Sequence, residues 1–301
     1  MTEPICCNIG NFFKYPYWKQ KIDEVIPDIG IIGIPFDGGS SYRTGARFAP
    51  SAIRKCSVIV REEHNPLGEK MLLNNFNIYD FGDINIIPNN ADKTLDKIAH
   101  TLNSFHNNIV GVGGDHTITL GILRSIVKRS GPVALIQFDA HDDLDLSLWD
   151  EPCFHGSWAR IAAQENLILK DCWFRIGARS NREANSNSSE FSITVFDVEQ
   201  SITNIDIVKN SLRTIENRPT YITIDLDVLD SSVAPAVSTP VPGGFNTREL
   251  YRILKIISNY NVVGGDIVEY VPSYDINEST GIIAAYLLQS IIISIAKNFN
   301  R

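Results

Sequence analysis

The sequence predicts an α/β protein with a mostly parallel central sheet covered on both faces, and three observations predict it. Short runs that stay apolar over most of their length recur along the 301 residues, at 28–35, 108–113, 132–138, 220–224 and 261–268. Unbroken apolar runs mark strands buried on both faces, the condition of a parallel sheet. Between them lie longer segments with apolar positions near helical spacing, so strand and helix alternate. Finally, no internal repeat, linker or break in composition divides the chain, and one domain is expected over residues 1–301.

Residues 28–35 read as the first buried strand, and the turn-rich Phe36-Asp37-Gly38-Gly39-Ser40-Ser41 follows as a loop. Pro50 stands where a helix favours proline at its start. A short strand is expected at 77–83, and an amphipathic helix at 91–105 on the spacing of Leu95, Ile98, Ala99 and Leu102. The alternation then becomes regular: strand 108–113, helix 117–128, strand 132–138, helix 155–165, strands 171–176 and 192–196, helix 205–215. Strand 220–224, helix 247–257, strand 261–268 and a helix from 279 onward complete the pattern. Asn-Ser-Asn-Ser-Ser at 185–189 is the most loop-like stretch.

Hydrophobic residues at 44% and charged residues at 21% describe an ordinary globular chain. The net charge of −8 leaves no basic patch to neutralise phosphates, which argues against a nucleic-acid partner and accords with a small cationic one. The five cysteines (Cys6, Cys7, Cys56, Cys153, Cys172) follow neither zinc-ribbon nor disulfide-framework spacing, so a reducing cytoplasm is the expected compartment. The first residues lack the basic and apolar regions of a signal peptide. Residues 281–296 are the longest apolar stretch, but Gln289, Ser290 and Ser294 interrupt it and it falls short of the roughly 20 residues that span a bilayer. A buried helix, with no membrane partner, is expected there.

Chemistry gathers where the strands end. The strand at 132–138 runs into Asp139-Ala140-His141-Asp142-Asp143, and the period of two places Asp139 and His141 on one face. A turn beginning there would swing Asp143 round to join them, leaving Asp142 out of phase. Other strand ends carry Gly113-Gly114-Asp115-His116, Asp225-Leu226-Asp227 and Glu269. Ligands of open α/β sheets bind beyond the carboxyl ends of the strands, so four segments distant in sequence converge on one site. Two imidazoles (His116, His141) and four carboxylates (Asp139, Asp143, Asp225, Asp227) carry more negative charge than one divalent ion neutralises, and two ions fit better. Oxygen-rich sites with some nitrogen and no thiolate favour manganese over zinc. Each motif alone has a plainer explanation: Asp115 could cap a helix, Asp225 and Asp227 could be turn carboxylates, and His155 could cap the helix expected after it. Cys153, close by, raises a thiol nucleophile as the alternative to water.

Together with His155-Gly156, Asp225-Leu226-Asp227-Val228-Leu229-Asp230 and Val268-Glu269, these motifs resemble in order those of the ureohydrolases, the family of arginase, agmatinase and formiminoglutamase. The segments from Gly33 to Gly39, from Ser41 to Arg47 and from Val268 to Asp275 look most like the agmatinase branch. The resemblance implies a three-layer α/β/α fold and a binuclear Mn2+ centre that hydrolyses a guanidino group to urea and an amine. By motif, it implies a first ion on His116, Asp139, Asp143 and Asp225, and a second on Asp139, His141, Asp225 and Asp227. Asp143 would relay a proton to the leaving amine, Glu269 would pair with the guanidinium, His155 would bind substrate or shuttle protons, and Thr239 would line the guanidinium pocket. A homo-oligomer, trimer or hexamer, is implied as well. A catalytically silent metal-binding relative is the competing class, and intact residues at every motif position weigh against it.

Two departures lie near the implied pocket: Ala236-Val237-Ser238 where the family usually has Gly-Thr-Gly, and Ser231 in place of a proline. Between Asp143 and His155 the chain lacks the Asn and Ser with which arginases hold the amino-acid end of arginine; it has Asp145, Trp149, Asp150 and Glu151 instead. An amine tail suits that segment better than a carboxylate, so agmatine ranks above arginine, 4-guanidinobutanoate, formiminoglutamate and guanidine.

Overall fold

The computed structural model describes residues 10–19, 26–61, 65–67, 73–105, 108–180 and 190–300. Cys6, Cys7, the first nine residues and the 185–189 stretch lie outside them. Among the described residues, eight strands form one sheet: β1 (Ile29–Gly33), β2 (Ile78–Asp83), β3 (Asn108–Val112), β4 (Val133–Phe138), β5 (Ile168–Ala178), β6 (Ile193–Asp197), β7 (Thr220–Asp225) and β8 (Val262–Val268). Their spatial order is β2-β1-β3-β8-β7-β4-β5-β6, and each neighbouring pair runs parallel. The four strands whose ends bear the candidate ligands, β3, β8, β7 and β4, are therefore contiguous at the centre of the sheet.

Helices cover both faces: α1 (Ala49–Ser57), α2 (Ala91–Leu102), α3 (Ile118–Ser130), α4 (Trp158–Gln164), α5 (Val198–Thr203), α6 (Ile205–Ser211), α7 (Thr247–Ile257) and α8 (Ser279–Ala296). The pleat sorts each strand between two cores. In β4, Ala134, Ile136 and Phe138 join the core that holds Ile53, Ile253 and Ile292, while Val133 and Leu135 join the one that holds Ile98, Ile122 and Trp158. The expected three-layer α/β/α architecture is the observed one. The edge strands β2 and β6 are partly exposed, whereas β4 and β7 are buried at every position.

Helix α8 packs on β8 and on α1. The segment Ser279–Phe299 is long and apolar enough to cross a membrane, with mean hydropathy 1.8, but 78% of that window is buried inside the fold. Burying an Ile or Leu side chain stabilises by about 1.5–3 kcal/mol, so Leu288, Ile291, Ile292 and Ile295 tie this helix to the sheet.

Some boundaries differ from the sequence reading. The helix expected at 155–165 begins only at Trp158, which leaves His155 in the preceding loop. The helix expected at 205–215 tightens to a 3-10 turn from Leu212. Helix α5 was not expected, although Asp197 and Gln200 stand at capping-box spacing and make both of its hydrogen bonds.

Candidate active site

The turn after β3 brings His116 to the sheet centre by a route only glycine allows. Gly114 has φ 133°, and a Cβ there would lie 2.0 Å from the Phe36 carbonyl oxygen. His116 is buried, and its Nδ1 faces three carboxylates: Asp143 Oδ2 at 3.0 Å, Asp139 Oδ2 at 3.2 Å and Asp225 Oδ2 at 3.3 Å. None of these contacts has hydrogen-bond geometry, so Nδ1 is a buried polar atom without a partner. Buried nitrogens are seldom left this way. One lone pair converging with three carboxylate oxygens is the donor set of a cation site, and the residues fit a divalent metal. The other ring nitrogen, Nε2, lies 2.8 Å from Thr223 Oγ1, and Trp158 packs against the ring with centroids 4.6 Å apart.

A second set adjoins the first. Asp139, His141 and Asp227 bring their ligand atoms within 4.8 Å of one another, as do His116, Asp139 and Asp225. Asp139 belongs to both. Asp225, implied as a second bridge, groups only with the His116 set. His141 Nδ1 is 2.9 Å from Asp227 Oδ2 and 3.7 Å from Asp139 Oδ1. Asp143 reaches the cluster because its backbone turns into the left-handed region, φ 54°, which makes the turn that the sequence reading expected there. Aspartate is among the few side chains that enter that region with little penalty.

Surrounding donors fix the carboxylates. Trp158 Nε1 donates to Asp143 Oδ2 at 2.6 Å, and Gln137 Nε2 donates to Asp139 Oδ2 at 2.9 Å. Gln137 Oε1 in turn accepts from Trp173 Nε1 at 3.1 Å. Asp227 Oδ1 accepts from the Ala140 N–H, and Asp225 Oδ1 from the Asp227 N–H. The crowding of charge is plain in the titration of the group. Burial, and then the charge of Asp139, pushes Asp143 up to about 6; burial and the charges of Asp227 and Asp139 push Asp225 well up. Burial alone would lower His116, but the carboxylates of Asp139, Asp143 and Asp225 outweigh it and raise its proton affinity. The cluster is short of positive charge, which a metal ion held there would supply.

Glu269, at the end of β8, also has a left-handed backbone, φ 67°, and is fully buried. Its Oε1 accepts from the His116 N–H at 2.7 Å and lies 3.0 Å from His155 Nδ1, whereas Oε2 makes no hydrogen bond. A cleft of about 270 Å3 opens over this floor, lined in part by Ser41, His141, Asp143, Asp145, His155 and Thr239. Thr239 Oγ1 is 3.3 Å from Asp227 Oδ2. The nine residues that the sequence assigned to metal, guanidinium or proton transfer thus meet in one place: His116, Asp139, His141, Asp143, Asp225, Asp227, His155, Thr239 and Glu269. Asp142, out of phase in the motif, lines the cleft as well, 3.8 Å from Arg175 Nη1.

The segment expected to face an amine tail divides. Asp145 lines the cleft, but Trp149 and Glu151 line a neighbouring recess with Cys153, and Asp150 lies at an exposed turn. The turn at Leu148–Glu151, closed by paired backbone hydrogen bonds, points these residues away. Burial pushes the Cys153 thiol up to about 12, which removes it as a nucleophile at neutral pH. The departure Ala236-Val237-Ser238 packs beside Glu269: Val237 bridges Tyr270, and the Ser238 N–H donates to the Glu269 carbonyl oxygen. Ser231 lies in a turn held by Asp230, whose carboxylate accepts from the N–H groups of Ser232, Gly243 and Gly244.

Sequence reasoning missed Ser41, Gln137, Trp158, Arg179 and Thr223. Gln137 and Thr223 did leave a signal, a polar residue inside an otherwise apolar strand. Arg179 left none, yet its guanidinium donates to the carbonyl oxygens of Asp227, Val228, Leu229 and Val241 and so fixes the loop that carries Asp227 and Thr239.

Comparison with known proteins agrees with this geometry. Residues 27–294 match the model of the arginase family. The chain is 35% identical over 281 residues to an agmatinase of Blochmanniella floridana, covering 91% of this chain and 88% of that protein. It is 32% identical to an agmatinase of Bacillus subtilis, covering 94% of each. The solved structure of proclavaminate amidino hydrolase from Streptomyces clavuligerus superposes with a TM-score of 0.90 at 29% identity, covering 98% of this chain and 99% of that one. Fold, convergent donor sets and relatives point the same way: the chain belongs to the arginase family, the ureohydrolase enzymes.

Proposed function

We propose that this enzyme is a binuclear manganese amidinohydrolase that cleaves agmatine to putrescine and urea. The observation that carries the reading is the pair of ligand sets sharing Asp139, with the unpartnered His116 Nδ1 aimed into one of them. His116, Asp139, Asp143 and Asp225 would hold one Mn2+, and Asp139, His141, Asp225 and Asp227 the other. Such a pair, when bound, supplies water activated for attack at neutral pH. The chain's own residues do the rest. Glu269 Oε2, buried and unpaired, accepts the planar guanidinium, a charge-assisted bond in a site of low dielectric. Asp143 takes the proton released by the attacking water and hands it to the departing nitrogen. Thr239 orients the guanidinium beside Asp227.

The second end of the substrate is read by the cleft wall. Asp142 and Asp145 stand there, and among the described residues that line the cleft none is a lysine or arginine. That favours a cationic amine over a carboxylate and supports agmatine, a reading in keeping with the agmatinase names of the relatives. The free thiols of Cys56, Cys153 and Cys172 support a cytoplasmic enzyme, and we take it to be a homo-oligomer. A panel of agmatine, arginine, 4-guanidinobutanoate, formiminoglutamate and guanidine tests the substrate, with released urea or formamide as the readout. Urea from agmatine at a kcat/KM at least about tenfold above the others is expected, a difference of about 1.4 kcal/mol in transition-state binding. Higher kcat/KM with arginine or 4-guanidinobutanoate would overturn the agmatine assignment.

A further inference from the structure

His155 is committed at both ring nitrogens. Nδ1 lies 3.0 Å from Glu269 Oε1. Nε2 receives the backbone N–H of Ser41 at 3.2 Å, and the Ser41 hydroxyl lies 2.7 Å away. A backbone N–H can only donate, so the neutral ring that satisfies this geometry carries its proton on Nδ1 and gives it to Glu269. The contact is built rather than casual. The His155 N–H donates to the Gly39 carbonyl oxygen, and the Gly39 N–H donates to Asp115 Oδ2 at 2.7 Å, so the loop bearing Ser41 is pinned to both neighbours. A Cβ on Gly39 would lie 2.4 Å from Thr117 Oγ1. Ser41 itself is exposed on the cleft wall.

We propose that Ser41 is a positioning residue for His155: it holds the ring as the Nδ1–H tautomer, which spends that proton on Glu269 Oε1 and leaves Oε2 for the guanidinium. The proposal rests on the guanidino reading above and adds the residue that sets its charge geometry. Without the Ser41 hydroxyl the ring keeps one weak donor at Nε2 and is free to turn. A proton on Nε2 would then leave Nδ1 and Glu269 Oε1 as two acceptors face to face, and the carboxylate would reorient away from its substrate-binding position.

The test pairs Ser41→Ala with Ser41→Thr. Histidine 15N NMR on the Zn2+-loaded, diamagnetic enzyme reads the tautomer directly, since the chain has only six histidines and His155→Gln identifies the signal. The wild type and Ser41→Thr are expected to show His155 as Nδ1–H, and Ser41→Ala a mixture of tautomers. In the Mn2+ enzyme KM for the best guanidino substrate is expected to rise about tenfold in Ser41→Ala, the scale of one lost hydrogen bond, to return in Ser41→Thr, and kcat to change less. An unchanged tautomer in Ser41→Ala overturns the proposal, and so does a mixed tautomer with an unaltered KM. Failure of the guanidino reading looks different: the wild type would turn over none of these substrates while the NMR arm still reports the ring.

Discussion

Two residues of the site, Asp143 and Glu269, sit in a backbone region that side chains other than asparagine and aspartate seldom enter. Asp143→Asn therefore tests the ligand and proton-relay roles together without disturbing the backbone. Asparagine tolerates left-handed φ, keeps an oxygen for Trp158 Nε1, and removes the charge and the proton acceptor together. Turnover is expected to fall about 10²–10⁴-fold, the usual worth of a positioned acid–base group. Stability of the metal-free protein should change by less than about 1 kcal/mol, because no buried donor loses its partner. Steady-state rates beside thermal unfolding curves check both halves. Unfolding that tracks the loss of rate would mean Asp143 supports the fold and not the reaction.

At the scale of the element, β7 is the clearest case of a strand that builds a site. Its alternate residues Tyr221, Thr223 and Asp225 share one face. Tyr221 donates to Asp266 Oδ2 at 2.7 Å, Thr223 holds His116 Nε2, and Asp225 enters the ligand set. For Nδ1 of His116 to present a lone pair, Nε2 must carry the proton and donate to Thr223. Thr223→Val is therefore expected to weaken Mn2+ binding about 10–100-fold while turnover at saturating Mn2+ stays near wild type. Competition with a calibrated chelator measures it, and an unmoved dissociation constant would show that packing against Trp158 alone orients the ring. The same strand shows what the sequence made legible and what it hid. Apolar runs ending in carboxylates located β3, β4, β7 and β8 to within a residue or two, and their carboxyl ends pointed to the candidate site. The contacts that hold the ligands were not legible, because they join positions far apart: Ser41 to His155 spans 114 residues and His116 to Thr223 spans 107. Serine and arginine are common on surfaces, so Ser41 and Arg179 carry no local mark of their roles.

For the whole molecule, the cation and the fold are linked through protons. Burial and the neighbouring charge of Glu269 raise Asp115 to about 7. Burial opposes protonation of His155, but Glu269 outweighs it and raises that ring to about 9. In the unfolded chain these groups titrate near 3.9 and 6.5, about the ordinary values. The metal-free folded protein therefore binds more protons than the unfolded chain across neutral pH, and its stability falls as pH rises. For His155 the contribution is complete below about 6.5 and is lost as pH rises through about 9. For Asp115 the folded state is penalised progressively from about 3.9 up to about 7. Asp139 is held low by His116 and His141 against its burial, so it acts in the opposite sense only below its ordinary range, outside this window. A divalent cation bound to the neighbouring ligands lowers the proton affinity of both groups, so that His155 is the neutral ring its Ser41 contact requires, and adds about 4 kcal/mol at a thousandfold excess over its dissociation constant. Unfolding midpoints measured from pH 6 to 9, with Mn2+ and after chelation, should diverge as pH rises, the chelated protein falling and the loaded protein nearly level. Parallel curves would mean that the carboxylates of the central strands are neutralised by something other than a metal, and the assignment of His116, Asp139 and Asp225 as ligands would go with them.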